Sequence, residues 1–201
     1  MKEYSYLTPT IHVKVPLEVY CKIRDLCSKI PNLEWSGIVF YTIEYNNASP
    51  VPSEIILEDI LIMDIGSKNN TEFNIDERLI DFMNENTIRY YWQIGSIHSH
   101  HNMPVSFSIK DIEDLLKNSN NHNYYFSMIV NNNMDMIAKV AQKSFLKTLK
   151  HHIVKGIYGK EYTISTSSET IENKTLMYHC LIECPIDKID NQIDQILNQK
   201  K

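Results

Sequence analysis

Glycine is scarce in this chain, with five in 201 residues. No Gly-x-Gly-x-x-Gly and no Gly-Lys-Ser/Thr pattern occurs, which argues against a glycine-rich cradle for nucleotide phosphates. Cysteine is sparser still, with four. Cys21, Cys27, Cys180 and Cys184 form no Cys-x-x-Cys pair, and their spacing is not that of a disulfide framework. Long apolar runs are missing too, and none approaches the ~18 residues that cross a bilayer. Residues 1–10 are polar and hold no apolar stretch of signal-peptide length. The expectation is a reduced, soluble, cytoplasmic protein with no membrane partner. An excess of basic charge is also absent. The formal net charge is -5 and the lysines are scattered, so nucleic acid is not an expected partner.

What is present is the composition of a folded protein: 43% hydrophobic and 22% charged residues, both ordinary for a globular domain. The length suits one domain with a buried core, or one domain and a small appendage. No internal repeat is visible.

Residues 12–15 alternate and read as a strand. Pro16 opens a helix that runs to Ile30, with Val19, Ile23, Leu26 and Ile30 on one face; Pro31 and Asn32 stop it. Residues 34–45 are rich in β-branched and aromatic side chains and read as a strand, as do residues 55–65. A helix fits residues 76–83 with Leu79, Ile80 and Met83 buried, followed by a strongly apolar strand over 88–100 that ends in histidines. A further helix fits 108–117, with Ile109, Ile112, Leu115 and Leu116 as its apolar side. Two strands over 124–130 and 134–141 flank an Asn-rich turn. Beyond Gln142 the pattern weakens, with short strands over 162–165 and 176–184 around a polar loop. The order is that of an α/β protein of α+β type, with helices packed on a central sheet. We expect one domain over residues 10–155 and a C-terminal extension over 156–201. That extension carries a short amphipathic helix with Ile186, Ile189, Ile193, Ile196 and Leu197 at helical spacing.

The chemistry concentrates in Ile97-His98-Ser99-His100-His101 and Ser108-Ile109-Lys110-Asp111. Residues two apart on a strand face the same side, so His98 and His100 present two imidazoles together. Asp111, on the first turn of the next helix, can fold back beside them. Two histidines and one carboxylate leave a fourth tetrahedral position open, which is the pattern of a catalytic rather than a structural zinc. One Zn2+ per chain is expected, with its bound water acidified to a pKa of about 7. Such a water needs a base, and Glu34 is a candidate at the head of an apolar strand. Ser108 is a hydroxyl donor for a developing oxyanion. Each feature also has a plainer reading. Ser108 and Asp111 match a helix capping box. Glu34 alone reads as a surface carboxylate. His101 should face the opposite side of an extended strand from His100, as a surface residue or a support to the ligands.

Taken together, these residues fall at a known spacing. His98-Ser99-His100, seven residues, Ser108, two residues and Asp111, preceded by Glu34-Trp35-Ser36-Gly37, resemble the motif of the JAB/MPN (JAMM) zinc metalloproteases. The likeness in element order covers residues 10–141, about two thirds of the chain. In detail the chain is similar to short JAB-domain proteins encoded by bacteria and their phages, which would place it in a host cytoplasm. The resemblance implies zinc on His98, His100 and Asp111, with Glu34 as general acid/base and Ser108 as oxyanion stabiliser. It also implies hydrolysis of a peptide or isopeptide bond in a protein or peptide partner, including one that joins a ubiquitin-like modifier to lysine. Two departures stand out. Pro104 comes four residues after His100, where the family commonly has proline sooner, and Ile109 follows Ser108 where it commonly has glycine. These bear on the shape of the substrate groove. The competing readings are a metal-dependent phosphoesterase, which needs further His and Asp ligands, and a non-catalytic scaffold of the same fold, which typically has lost ligands.

Overall fold

The computed structural model describes residues 4–46, 51–155 and 161–185, and side chains within 10–46, 51–143 and 175–185. Seven strands and three α-helices alternate along it. β1 (Tyr4–Lys14) leads into α1 (Leu17–Lys29), then β2 (Trp35–Tyr45) and β3 (Pro52–Ile65) form a hairpin. α2 (Glu77–Glu85) and a short 3-10 turn (Thr87–Tyr91) precede β4 (Gln93–Ser99). α3 (Ile109–Asn118) follows, then β5 (Tyr124–Val130), β6 (Met136–Lys155) and β7 (Glu161–Glu183).

The mixture of helix and sheet is as expected, but the sheet is not an open central layer. It closes into a barrel in the order β1-β3-β2-β4-β5-β6-β7, with β7 returning to β1. β1 runs parallel to both of its neighbours, β4 and β5 are parallel, and the other pairs are antiparallel. The closing strand is the one that the sequence pattern conceals. In place of two short strands around a polar loop, residues 161–183 form one strand, paired with β6 from Lys139↔His179 to Lys155↔Glu161. A ladder pairs backbone groups rather than side chains, so polar residues in the middle do not interrupt it. The boundary expected near residue 155 therefore falls between two paired strands. The amphipathic stretch from Ile186 to Leu197 lies outside the described residues.

Strand alternation sorts the core. Trp35, Val39 and Tyr41 of β2 face inward and join Ile55, Ile97, Phe126, Val140 and Tyr178 from the other strands. α1 adds Val19, Tyr20, Ile23 and Cys27 to this same cluster. Ile38 and Phe40 face outward and are covered by α2, where Phe82 stacks on Phe40 at 4.7 Å between ring centroids. α3 covers a second outer patch, with Leu115 against Tyr125, Ala141 and Met177. Both helix faces differ in one position from the expected stripe. Ile80 is 61% exposed and Ile109 81% exposed, and Phe82 does the packing expected of Ile80. The apolar run from Ile88 is not strand at its start. Asn86 accepts the Ile88 N–H with its side chain and caps the 3-10 turn, so β4 begins only at Gln93. Among the described residues no helix is long and apolar enough to cross a membrane.

Candidate metal centre

β4 presents its residues alternately. Gly95, Ile97 and Ser99 are buried toward the barrel, while Ser96 and His98 face the other way. His98 and His100 thus lie on one side, with their Nε2 atoms 3.2 Å apart. Asp111 approaches from α3, its Oδ1 3.6 Å from His98 Nε2. The donor atoms of the three residues all lie within 4.8 Å of one another. Ligands at 2.0–2.1 Å around a tetrahedral ion stand about 3.3 Å from each other, so this donor set has the right size as well as the right chemistry for zinc. Among the described residues it is the one group of three or more such side chains able to hold a metal ion, and further ligands for a multi-metal site do not gather there.

The start of α3 reconciles two readings of Ser108 and Asp111. The capping box is present: Ser108 Oγ accepts the Asp111 N–H at 3.2 Å, and Asp111 Oδ2 accepts the Ser108 N–H at 2.7 Å. That leaves Oδ1 for the histidines. The cap aims the carboxylate, and each oxygen has its own task. The Ser108 hydroxyl uses only its acceptor capacity in the cap, so its O–H remains free to donate.

His100 is oriented from behind. Its Nδ1 lies 3.2 Å from the Pro104 carbonyl, which can only accept, so the proton sits on Nδ1 and Nε2 keeps its lone pair. The displaced proline is therefore used through its backbone oxygen. Burial drives His98 down to about 4, against the pull of Asp111 and with the push of His100, so its ring is neutral at pH 7. A neutral imidazole is the ligating form.

Glu34 comes from a distant part of the chain. Ser36 of β2 pairs with His98 of β4, the last pair of that ladder, and Glu34, two residues before Ser36, lines the same cavity as the histidines. The side chain is buried, at 6% exposure, and is not the surface carboxylate of the plainer reading. Burial raises its carboxyl above the ordinary carboxylate range; His100 and His101 oppose this, and Asp111 adds to it. A carboxyl shifted in this direction holds a proton more readily than a free one, which is the sense a proton carrier needs. Its backbone is tied on both sides, the N–H to the Ser67 carbonyl at 2.8 Å and the carbonyl to the Gly66 N–H at 2.9 Å.

Glu34, His98, His100, Ser108 and Asp111 all line one cavity of about 680 Å³, together with residues 69–75 and the outer face of Ser96, Tyr125 and Ser127. Several supports escaped the sequence pattern. Ser99, between the two histidines, is fully buried and accepts the Trp35 N–H at 3.0 Å, locking the head of β2 to the end of β4. Alternation alone signals that position, since the residue between two outward ligands must point in. His101 does not continue the strand. β4 ends at Ser99, and His101 turns with a φ of 35°. Asn131 is buried and holds the loop after His100, donating to the Met103 carbonyl at 3.2 Å. Comparison with family models and with curated proteins finds no match to this chain.

Proposed function

We propose that the chain is a zinc-dependent hydrolase of peptide or isopeptide bonds, akin to the JAB/MPN metalloproteases in its site rather than in the closure of its sheet. The observation that carries this reading is the convergence of Glu34, His98, His100, Ser108 and Asp111 on one cavity. His98 and His100, through Nε2, and Asp111, through Oδ1, would hold the metal. When bound, zinc supplies a Lewis acid that makes water acidic near pH 7. Glu34 is the group that moves the proton: its carboxylate accepts one from the attacking water and returns it to the leaving nitrogen. The Ser108 hydroxyl donates to the substrate carbonyl oxygen as negative charge develops there. The carrying residues are complete, which favours an enzyme over a scaffold. The partner is a protein or peptide, with a ubiquitin-like conjugate as the first candidate.

The test combines metal content with hydrolysis. Wild-type protein should bind about one zinc per chain by elemental mass spectrometry. His98→Ala should lose it, and full occupancy in that variant would refute the ligand set. Glu34→Gln should keep zinc and lose hydrolysis by about 10²- to 10⁴-fold. A panel of isopeptide-linked and linear ubiquitin-like conjugates, read by mass spectrometry, locates the cut; undiminished cleavage by Glu34→Gln would sink the role of Glu34.

A further inference from the structure

We propose that His101 is a positioning residue that holds Glu34 in place against the ligand pair. The inference rests on the reading of Glu34 as the proton-moving group. His101 sits where the chain leaves β4, in the left-handed region at φ 35°. Non-glycine residues are uncommon there, and histidine is among those that tolerate it best. This turn swings the imidazole away from the metal ligands toward the segment after β3. Both ring nitrogens then have a fixed task. Nδ1 accepts the Asn102 N–H at 2.7 Å, so the proton is on Nε2, and Nε2 donates to the Lys68 carbonyl at 2.7 Å. One neutral tautomer satisfies both contacts.

Lys68 belongs to the tight turn that grips Glu34. Ser67 donates its N–H to the Asn70 carbonyl at 2.8 Å, and a Cβ on Gly66 would stand 2.2 Å from that same oxygen. The turn has no slack. Its Gly66 N–H and Ser67 carbonyl are the two groups that bond the Glu34 backbone. His101 is tied on the other side as well. Its carbonyl accepts the Asn132 N–H at 2.7 Å, and the Asn132 side chain donates to the Pro31 carbonyl at 2.8 Å, three residues before Glu34. The residue next to His100 therefore connects to the Glu34 segment along two routes, one through the turn that bonds the Glu34 backbone and one through Pro31. A proton carrier must keep its distance to the reacting atoms, and a misplacement of about 1 Å can cost on the order of 100-fold in rate.

Two variants separate the imidazole from the backbone turn. His101→Gly keeps the left-handed conformation without steric cost and removes the side chain. His101→Gln restores a neutral N–H donor. In the full chain, hydrogen exchange by mass spectrometry or NMR should show the Glu34 and Gly66 amides exchanging about tenfold faster in His101→Gly, with the barrel amides of Met128 and Val140 unchanged. His101→Gln should restore slow exchange. Zinc content should stay at the wild-type level. On a cleaved substrate, kcat should fall about 10- to 100-fold in His101→Gly with KM within about twofold, and recover in part in His101→Gln. Unchanged exchange at Glu34 and Gly66, an equal rise at Met128 and Val140, or a raised KM at constant kcat would each overturn the proposal. If Glu34→Gln proves the hydrolytic reading wrong, the exchange comparison still decides whether His101 holds the Glu34 segment.

Discussion

Asp111 divides its two oxygens between a helix cap and the proposed metal site, and that division makes the roles separable. Oδ2 serves the cap, while Oδ1 faces His98. Asp111→Asn keeps an oxygen that can accept the Ser108 N–H but removes the negative charge that a divalent ion needs. We expect zinc affinity to drop sharply while the unfolding free energy of metal-free protein in urea changes by no more than about 1 kcal/mol. Equilibrium dialysis against zinc and urea unfolding read the two effects independently. A large loss of stability with zinc retained would mean that the residue works for the cap alone. His98, His100, Ser108 and Asp111 were legible in the sequence because they span a single strand, loop and helix start. Over so short a reach, spacing and backbone periodicity decide which side chains meet. His101 was misplaced by the same reasoning, because alternation holds only while the strand lasts, and β4 ends at Ser99.

At the scale of elements, the site is a product of the β2–β4 pairing. Glu34 and His98 are separated by 63 intervening residues, and no local rule joins them. Only the register that sets Ser36 opposite His98 brings the carboxyl to the histidines. This is why Glu34 could be suspected from a motif but not placed from the chain. The approach of their outer neighbours, β3 to β2 and β5 to β4, depends on two glycines. A Cβ on Gly37 would meet the Leu61 carbonyl at 2.1 Å, and one on Gly95 would meet the Phe126 carbonyl at 2.3 Å. Both obstacles are backbone and cannot rotate away. Gly37→Ala should therefore lower the stability to urea by about 1–3 kcal/mol and slow hydrolysis, because β2 must shift where it carries Glu34. A variant with wild-type stability would show that β3 yields more easily than the geometry implies. The helices and β2, β3 and β5 were read to within a few residues, whereas β1 and β6 extend far beyond the segments 12–15 and 134–141 read as strands. The start of β4 was misread because side-chain capping by Asn86 overrides the apolar pattern there.

The whole molecule is held by one closure. β7 lies between β6 and β1, so the segment read from its weak pattern as an appendage is a stave of the barrel. Among its described side chains, Leu176, Met177 and Tyr178 reach the core clusters, and residues 161–173 pair with β6 through the backbone. A chain ended after Lys155 would leave β1 and β6 without their shared neighbour. We expect such a chain to lose cooperative urea unfolding and to lose protection of the β1 amides in hydrogen exchange. A truncated chain that still unfolds in one sharp transition would return residues 161–183 to the status of an appendage.

The same closure sets an order in time. His12 and Glu183 face each other across the seam, 171 residues apart in the sequence. Contacts of such separation form late, because the intervening chain must first be gathered. During synthesis β1 emerges before β3 and can pair with it, yet its other side stays bare until β7 leaves the ribosome. The nascent chain thus carries an unsealed edge until β7 is made, and the candidate site takes shape on a barrel that is still open.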